Sequence, residues 1–509
     1  DILVGALARV RAERSPQLVT LVGVPGIGKS RLVFELFAAI EQGTWGLIFW
    51  RRGRSLPYGE GVTFWALAEM VKAQAGILES DSAAQVGERL HRAVSDLVLG
   101  EDAEWVERHL RPLVGVAAEG ELRGDHREEA FATWRRFFEA LAERRPLVLV
   151  FEDLHWADDA LLDFVDELVD WTSGVPLLVL CTARPELLTR RAGWGGGTSN
   201  AVTISLTPLS NDETARLVHA LLDRALLPAE EQAALLAHAG GNPLYAEEFV
   251  RLAREGRFEG GDQLALPESV QGIIAARLDG LPAEGKSLLQ DAAVLGRVFW
   301  SGALASVAGF DRREIERRLH TLERREFVRR ERRPSFAGET EYAFRHVLVR
   351  DVAYSQIPRG ARGDKHRRAA EWIEALGRPE DHAEMLVHHY LSALELVRAA
   401  GQPTDELSER ARIALREAGD RAFALNAFAQ AARFYASALE LWPQVDPARP
   451  ALLMACGAAE YSAYETGEDR LAEAVRELAL VGDHERAAEG ELLLAELRRA
   501  SRDRAYEHL

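Results

Sequence analysis

The N-terminal part of the chain alternates short apolar runs with longer segments of helical periodicity. The apolar runs have the length of strands that are buried on both faces, and they occur at 18–24, 47–52, 147–152, 177–183 and 202–206. The segments between them predict helices at 30–42 and 158–171 and a helical insert at 60–145. Strands that alternate with helices form a parallel sheet covered by helices. The pattern therefore predicts an α/β domain that binds its ligand at the carboxyl ends of the strands.

After about residue 208 the pattern becomes helical. Helices are expected at 211–225, 229–239 and 245–255, and the sequence GGNPL at 240–244 joins the last two. Its two glycines can end one helix, and Pro243 can begin the next. We expect residues 209–264 to form a helical lid.

A second helical module, predicted at 265–360, contains an arginine-rich stretch. Residues 312–333 include ten arginines and five glutamates, and Ile315, Leu319 and Leu322 recur at helical spacing. A basic helix followed by a strand pair is typical of a winged helix, a common DNA-binding unit. The apolar spacing and the interleaved glutamates favour the alternative, a helix that packs on a core and exposes a solvated or docking face.

The last part of the chain, 361–509, is helical and rich in alanine. Residues of one tetratricopeptide-type repeat occur at the expected spacing, namely Leu415, Ala418, Gly419, Ala422, Ala431, Tyr435, Ala438 and Pro443. Stacked repeats of this kind present a concave surface, on which we expect a protein partner. His388 and His389 are adjacent on a predicted helix, so we expect them to face different directions and to make poor joint ligands. The chain begins without methionine and ends within a helical pattern, so we expect a fragment with truncated repeats.

Composition narrows the possible functions. A net charge of −18 argues against nucleic-acid binding by the whole surface. The two cysteines, Cys181 and Cys456, lack metal-ligand spacing and fit a reducing cytosol. The apolar runs are too short to cross a membrane, so we expect a cytoplasmic protein without a membrane partner. Of 62 basic residues only four are lysine, a bias that suggests a GC-rich bacterial genome.

One of those four lysines lies in the sequence GVPGIGKS, between the first predicted strand and the first predicted helix. This sequence matches G-x-x-x-x-G-K-[ST], in which backbone N–H groups surround phosphate oxygens. Lys29 is expected to reach the β- and γ-phosphates, and Ser30 to offer its hydroxyl to Mg²⁺. A chance match in a glycine-containing turn is the alternative, which the flanking strand and helix disfavour. The expected nucleotide-binding residues of the loop are Gly23, Val24, Pro25, Gly26, Ile27, Gly28, Lys29, Ser30 and Arg31.

Two acidic residues, Glu152 and Asp153, end the apolar run of LVLVFEDLHWADD. A carboxylate at this place can hold Mg²⁺, and its neighbour can orient an attacking water. Adjacent strand residues face opposite ways, so one of the two is expected to face the metal. We assign Asp153 to the metal and Glu152 to the water, and the reverse assignment stays open. The alternative is a strand that ends in solvated acids.

A polar tip also ends the strand at 177–183, where Thr182 and Arg184 occur. A polar group beside the phosphate loop can sense the γ-phosphate. Arg184 is therefore a candidate for catalysis together with Lys29, Glu152 and Asp153. The alternative is a surface charge that precedes Pro185.

Taken in order, these motifs resemble the STAND class of P-loop ATPases. The chain is most similar to bacterial AAA ATPase regions beside class III adenylate/guanylate cyclase domains or LuxR-type DNA-binding domains. The resemblance covers nearly the whole chain. It implies a sheet of order 5-1-4-3-2 at 1–208, then the lid, the winged helix and the repeats. It rests on GVPGIGKS, SLPYGEGVTFWAL, LVFEDLHWADD, LLVLCTARPE, GGNPLYAEEFV, FRHVLVRDVAY and the repeat at 415–443.

The resemblance also implies roles for individual residues. Pro243 would lie against the adenine, and His346 would contact the β-phosphate of ADP and lock a closed state. Arg184 would be the sensor arginine after the fourth strand. The chain begins after the V-G-R-E-type element that usually contributes to the adenine pocket, and these residues include no cyclase or C-terminal DNA-binding domain.

The expected function is a signalling switch that binds ATP or ADP with Mg²⁺ and hydrolyses ATP slowly. ADP would hold a closed form, and ATP would favour an open form that self-associates or releases a cyclase or transcription effector. One alternative is an AAA+-type remodelling ATPase, which needs an arginine finger for the neighbouring subunit. Another is a DNA-binding regulator acting through 312–333, although DNA binding is not expected of this fragment. A scaffold with a vestigial site is disfavoured by the intact Lys29, Ser30 and acidic pair.

Overall fold

The computed structural model divides the chain into two compact units. The first contains 1–55, 141–155 and 169–361, and the second contains 56–140, 156–168 and 362–509. This division differs from the four consecutive domains predicted above, whose boundaries stay predictions. The predicted helix at 229–239 lies mostly outside the described residues. The structure describes residues 1–43, 45–56, 63–116, 127–196, 200–222, 235–236, 238–254, 269–331, 334–376 and 378–507.

The first unit contains a parallel sheet with the strand order β2-β3-β4-β1-β5. Read from the other edge this is 5-1-4-3-2, so the predicted order is confirmed. All residues of β1, β3 and β4 are buried, as is typical of central strands in a parallel sheet. The strands are β1 (Gln17–Val22), β2 (Phe49–Arg54), β3 (Leu147–Glu152), β4 (Leu177–Ala183) and β5 (Ala201–Ser205). The first strand ends two residues earlier than predicted, because Gly23 and Val24 already belong to the loop.

The register of the strands brings three loops to one edge of the sheet. Val22 of β1 is level with Ala183 of β4, and Phe151 of β3 is level with Cys181. The segments that follow these strands carry the predicted phosphate loop, the acidic pair and Arg184. Helices α1 (Ile2–Glu13) and α2 (Lys29–Gln42) pack on this sheet through one apolar core.

The rest of the first unit is helical with one small sheet. The small sheet has the antiparallel order β6-β8-β7, with β6 at Val298–Trp300, β7 at Val328–Arg330 and β8 at Glu341–Phe344. It is therefore three-stranded where the sequence predicted a strand pair. The helices that lie wholly within this unit are α8 (Glu186–Arg190), α9 (Asn211–Leu222), α10 (Pro243–Arg254), α11 (Val270–Asp279), α12 (Ala283–Leu295), α13 (Ser301–Ala308), α14 (Arg312–Arg324) and α15 (Val347–Ser355).

The arginine-rich helix α14 buries Ile315, Leu319 and Leu322, as the apolar spacing indicated. On its other face, Glu314 forms ion pairs with Arg317 and Arg318. The interleaved glutamates therefore neutralise part of the basic surface within the helix itself.

The second unit is helical throughout its described part. The predicted insert consists of α3 (Trp65–Ala75), α4 (Ala83–Ser95), α5 (Glu101–Leu110) and α6 (Arg127–Arg144), and α7 (Asp159–Trp171) follows β3. The C-terminal helices are α16 (Arg359–Glu374), α17 (Ala383–Ala399), α18 (Asp405–Ala424), α19 (Phe428–Leu441), α20 (Arg449–Tyr464), α21 (Glu468–Val481) and α22 (His484–Glu507). Among the described helices, none is both long and apolar enough to span a membrane.

Helices α17 to α22 pack consecutively against one another, which confirms the predicted helical repeats. The predicted repeat positions on α18 and α19 are buried, and Pro443, after α19, is exposed. A side chain at Gly419 would place its Cβ 2.5 Å from Cε1 of Tyr435, so the absence of a side chain lets the two helices meet. The Tyr435 hydroxyl donates to Oδ1 of Asp420 at 2.8 Å, which fixes the ring against this helix.

Candidate nucleotide-binding site

The loop between β1 and α2 has the backbone of a phosphate-binding loop. Gly26 and Gly28 have φ angles of 83° and 109°, a region that residues with a Cβ adopt at a cost. Gly28 also precedes the first residue of α2. The N–H groups of the first turn of a helix lack partners within the helix, and they favour an anion. The loop therefore directs backbone donors and the helix end to one place.

Lys29 lies within the curve of this loop. It is 9% exposed, and its ammonium group donates to the carbonyl oxygens of Gly23 at 2.5 Å and Val24 at 3.1 Å. Burial lowers the pKa of Lys29 to about 8, with Asp153 raising it and Arg184 lowering it. The side chain therefore remains mostly protonated at neutral pH, although it is less costly to deprotonate than an exposed lysine.

The two acids at the end of β3 lie in different surroundings. Glu152 has a side chain only 7% exposed, and its carboxylate is 3.9 Å from both Arg52 and Arg297. Burial alone would raise the pKa of Glu152, but Arg297, Arg52 and Arg54 hold it below its usual value. Asp153 acts on the charge of Lys29, which places it on the side of the phosphate loop. Burial raises the pKa of Asp153, and Arg297 partly opposes this.

Arg297 connects the small antiparallel sheet to the acidic pair. Its Nη1 donates to Oδ2 of Asp153 at 2.7 Å. Arg297 immediately precedes β6, and its carbonyl oxygen accepts from the N–H of Phe344 at 2.9 Å. The backbone that carries this cation is therefore held by β8, while its side chain binds the carboxylate predicted to face the metal.

Arg184 and His155 belong to the same electrostatic neighbourhood. Burial and, after it, the charges of Arg184 and Lys29 together lower the pKa of His155 to about 3. His155 is therefore a neutral imidazole at neutral pH. At the adjacent strand end, Thr182 Oγ1 accepts from the backbone N–H of Asp153 at 3.1 Å and fixes the left-handed backbone of that residue.

The beginning of α10 touches the phosphate loop. Asn242 donates from Nδ2 to the carbonyl oxygen of Pro25 at 3.1 Å. The N–H of Leu244 lies 3.0 Å from Oδ1 of Asn242 and 3.3 Å from the carbonyl oxygen of Gly26. Pro243 lies between these two residues and begins α10, as predicted. Its predicted contact with adenine stays a prediction.

His346 is connected to the second turn of the same helix. Its Nε2 is 3.8 Å from Oε2 of Glu247, one turn beyond the start of α10. Burial would raise the pKa of Glu247, whereas His346 and Arg251 lower it. Arg31 pairs with Glu35 at 2.6 Å on an exposed part of α2 and also acts on Glu247. The structure thus places His346 beside α10, and its predicted contact with the β-phosphate of ADP stays a prediction.

A comparison with protein-family models decides the nature of this region. Residues 1–180 match the model described as "AAA ATPase domain". Residues 1–180 are therefore similar to AAA ATPase domains, and this part of the chain is called the ATPase domain below. The match contains the phosphate loop and the acidic pair, and it agrees with the class of P-loop ATPases that the motifs resemble.

One curated relative is longer than this chain. An uncharacterised protein of Rhizobium meliloti (strain 1021) is 28% identical over 425 residues, which cover 77% of this chain and 39% of the relative. The chain therefore spans about two-fifths of that protein.

Two solved structures are also similar to the chain. One is a Signal Transduction ATPase with Numerous Domains (STAND) protein with a tetratricopeptide repeat sensor from Pyrococcus horikoshii. It has a TM-score of 0.39 and 14% identity, and the match covers 98% of this chain and 80% of that one. The other is the Aeropyrum pernix ORC1 protein in complex with DNA, with a TM-score of 0.29, 15% identity, and coverage of 70% and 91%.

The residues of the ATPase domain fit a nucleotide bound with Mg²⁺. The loop supplies backbone donors and a lysine for phosphates, and Ser30 exposes its hydroxyl in the first turn of α2. Asp153 has a carboxylate of the kind that Mg²⁺ prefers as a ligand, and its role in holding the metal stays a prediction. When bound, the metal would offset phosphate charge, while Lys29 and the loop would position the phosphates.

Four residues of the site were not identified from the sequence, namely Arg52, His155, Asn242 and Arg297. Asn242 and His155 stand within motifs that were quoted, and an Asn that precedes a helix beginning with Pro is a recognisable N-terminal signal. Arg297 is 144 positions from its carboxylate partner, and no local pattern marks it among 58 arginines, which are the 62 basic residues less the four lysines.

Proposed function

We propose that the ATPase domain acts as a nucleotide-operated signalling switch of the STAND type. ADP holds a closed form, ATP favours an open form, and slow hydrolysis returns the protein to the closed form. The observation that carries this proposal is the hydrogen bond from Arg297 to Asp153, by which the module beyond the lid occupies a carboxylate of the ATPase site.

The contact offers a physical basis for two states. A ligand shifts a conformational equilibrium only by its different affinity for the two forms. Arg297 and a metal ion would compete for Asp153, because both are cations that draw on the single negative charge of its carboxylate. The form that turns over ATP would therefore release Arg297, and the form that retains ADP would keep it.

The partners follow from the same proposal. The helical repeats would bind a protein that reports the signal, because stacked helix pairs offer a long concave surface. The effector, a cyclase or a transcription regulator, would lie in another part of a longer protein. The ATP-bound form would self-associate or release that effector in the cytoplasm.

The first test is to identify the nucleotide that the purified chain carries, after denaturation and chromatography, and to measure ATP turnover alongside. We expect retained ADP and slow turnover. Arg297→Gln removes the charge that holds Asp153, so it should speed ADP release and raise turnover several-fold. Arg313→Gln, at an exposed position on α14, is the matched control and should change neither rate.

Three results would contradict the switch. An empty site with rapid turnover and ring formation would favour a remodelling ATPase. A fall in turnover in Arg297→Gln would make this arginine part of the catalytic machinery. Unchanged ADP release would remove the Arg297 contact from the mechanism.

A further inference from the structure

We propose that His366, His388 and His389 form a binding site for a first-row transition-metal ion of the Zn²⁺ type. His366 lies on α16, and the other two residues lie on α17. All three lie outside residues 1–180, so the site draws no ligand from the ATPase domain. The proposal is independent of the switch described above.

The three imidazole rings form a triangle of the size that one metal ion requires. Their centroids are 5.6 Å apart for His366 and His388, 5.1 Å for His366 and His389, and 5.2 Å for His388 and His389. One potential ligand nitrogen from each ring lies within 4.8 Å of the others. Rings bound to Zn²⁺ at about 2.0–2.1 Å with tetrahedral angles have centroids about 5 Å apart. The spacing of the rings is therefore that of rings sharing one ion, once each ring turns a nitrogen toward it.

Close packing of α16 and α17 brings the rings together. An added Cβ at Gly363 would lie 3.3 Å from Cγ2 of Val397 and 3.5 Å from Cβ of Leu396, so the helices meet closely there. One turn later on α16, His366 meets the pair on α17. Successive helical residues diverge by about 100°, which was the reason to expect poor joint ligands. The structure brings a third ring against both, an arrangement that the sequence of α17 alone does not reveal.

The surroundings favour a metal site with one open position. His366 and His389 are buried at 0% and 1% exposure, and His388 is half-buried. Three imidazole nitrogens suit Zn²⁺, Co²⁺, Ni²⁺ or Cu²⁺ rather than Mg²⁺ or Ca²⁺. Three protein ligands leave a fourth position of a tetrahedral ion for water. The half-buried side at His388 provides the access for that water.

One proton has to move before the metal binds. Nδ1 of His366 and Nδ1 of His389 are 2.9 Å apart, so one of the two rings donates a hydrogen bond to the other. A metal ligand nitrogen must be unprotonated. The donating ring would shift to the tautomer with its proton on Nε2, and both Nδ1 lone pairs would then face the ion.

Cobalt titration of the full chain tests this proposal. Tetrahedral Co²⁺ gives intense visible absorption, whereas Co²⁺ in an oxygen-ligated nucleotide site is octahedral and absorbs weakly. We expect one tetrahedral Co²⁺ per chain, displaced by Zn²⁺. His388→Gln keeps the two buried rings and should weaken binding at least tenfold. His320→Gln, whose parent side chain is 68% exposed on α14, should leave binding unchanged.

A second measurement follows folding. Because the ion binds only the folded helices, Zn²⁺ should raise the thermal unfolding midpoint of the parent chain but not that of His388→Gln. Absence of a tetrahedral Co²⁺ spectrum in the parent chain would overturn the proposal and leave a histidine–histidine hydrogen bond. Equal Co²⁺ binding by the parent chain and folded His388→Gln would also overturn it.

Discussion

At the end of β3, two adjacent carboxylates have different partners and therefore different chemistry available to them. Glu152 is held ionised among arginines, whereas Asp153 combines a hydrogen bond from Arg297 with electrostatic contact to Lys29. The sequence predicted that strand alternation separates them, but β3 ends at Glu152 and Asp153 has a left-handed backbone, so a turn separates the two carboxylates. Asp153 remains the better candidate for the metal, because its charge acts on the lysine of the phosphate loop.

The lowered pKa of Lys29 predicts pH-dependent nucleotide binding. Burial brings this pKa to about 8, so the free protein loses the ammonium charge as pH rises through that value. Affinity for ADP should be constant below about pH 7 and fall by up to about tenfold per pH unit above about pH 8. Titration with a fluorescent ADP analogue between about pH 7 and about pH 9.5 measures this.

Lys29→Arg supplies the control for that titration. A guanidinium group does not deprotonate in this range, so the variant should lack the decline even if its affinity is lower throughout. Affinity of the parent chain that stays flat to about pH 9.5 would show that Lys29 does not titrate in this window.

Site residues that are close together in the sequence could be predicted, whereas those far apart in the sequence could not. The loop from Gly23 to Ser30 is a contiguous motif whose spacing expresses its chemistry, so it was recognised directly. Arg297 acts through tertiary packing, and its partner could be identified only once β6 and β8 were placed. Pro243 begins the helix that touches the loop, and His346 lies 3.8 Å from Glu247 of that helix. The roles predicted for both residues stay predictions.

At the scale of elements, the buried strands were the most predictable part of the fold. Strands β3 and β4 have the predicted bounds, because a run of apolar residues closed by polar ones marks a strand buried on both faces. Strand β6 was missed, because three residues carry no measurable periodicity. Its pairing with β8 is decided by tertiary contact.

The meeting of α18 and α19 gives a stability prediction. Gly419→Ala would place a Cβ 2.5 Å from the ring of Tyr435, so overpacking should lower the free energy of unfolding by about 1–3 kcal/mol. That loss exceeds the gain of about 1 kcal/mol from replacing glycine within a helix. Urea-induced unfolding followed by circular dichroism measures the difference.

Gly87→Ala is the matched control within the same unit. Gly87 lies on α4, and an added Cβ there has no neighbour within 4 Å among the described residues. This variant should be more stable than the parent chain by about 0.5–1 kcal/mol. Equal changes in the free energy of unfolding at both glycines would contradict this prediction. They would mean that α18 and α19 can accommodate the added methyl group without loss of stability.

At the scale of the whole molecule, charge predicts weak affinity for DNA. The net charge is −18. In the basic helix α14, ion pairs such as that of Glu314 with Arg317 neutralise part of the positive charge. We expect no measurable binding of a duplex of about 20 base pairs at about 0.15 M salt, and only weak binding at low salt. Fluorescence anisotropy across a salt series measures this. Tight binding with a steep salt dependence would restore the DNA-binding interpretation of 312–333.

Local patterns in the sequence did not predict which segments of the chain group together in each of the two units. Residues 56–140 and 156–168 come from within the predicted ATPase domain, yet they group with 362–509. The periodicity of a helical insert predicts its helices and their apolar faces. It does not predict which hydrophobic core those faces will pack into. The sheet order was obtained from a family resemblance, since periodicity alone does not order parallel strands.

The contact between the start of α10 and the phosphate loop uses main-chain atoms on the side of the loop. The carbonyl oxygens of Pro25 and Gly26 accept from Asn242 and from the backbone N–H of Leu244. Nearly every residue offers the same backbone N–H and carbonyl groups. The hydrogen bonds between α10 and the phosphate loop therefore depend little on which side chains stand at positions 25 and 244. Inherited variation could therefore change those side chains while the coupling persisted. What it could not tolerate is a proline at 244, which removes the N–H, or a bulky residue at 26, where a Cβ would meet Leu244.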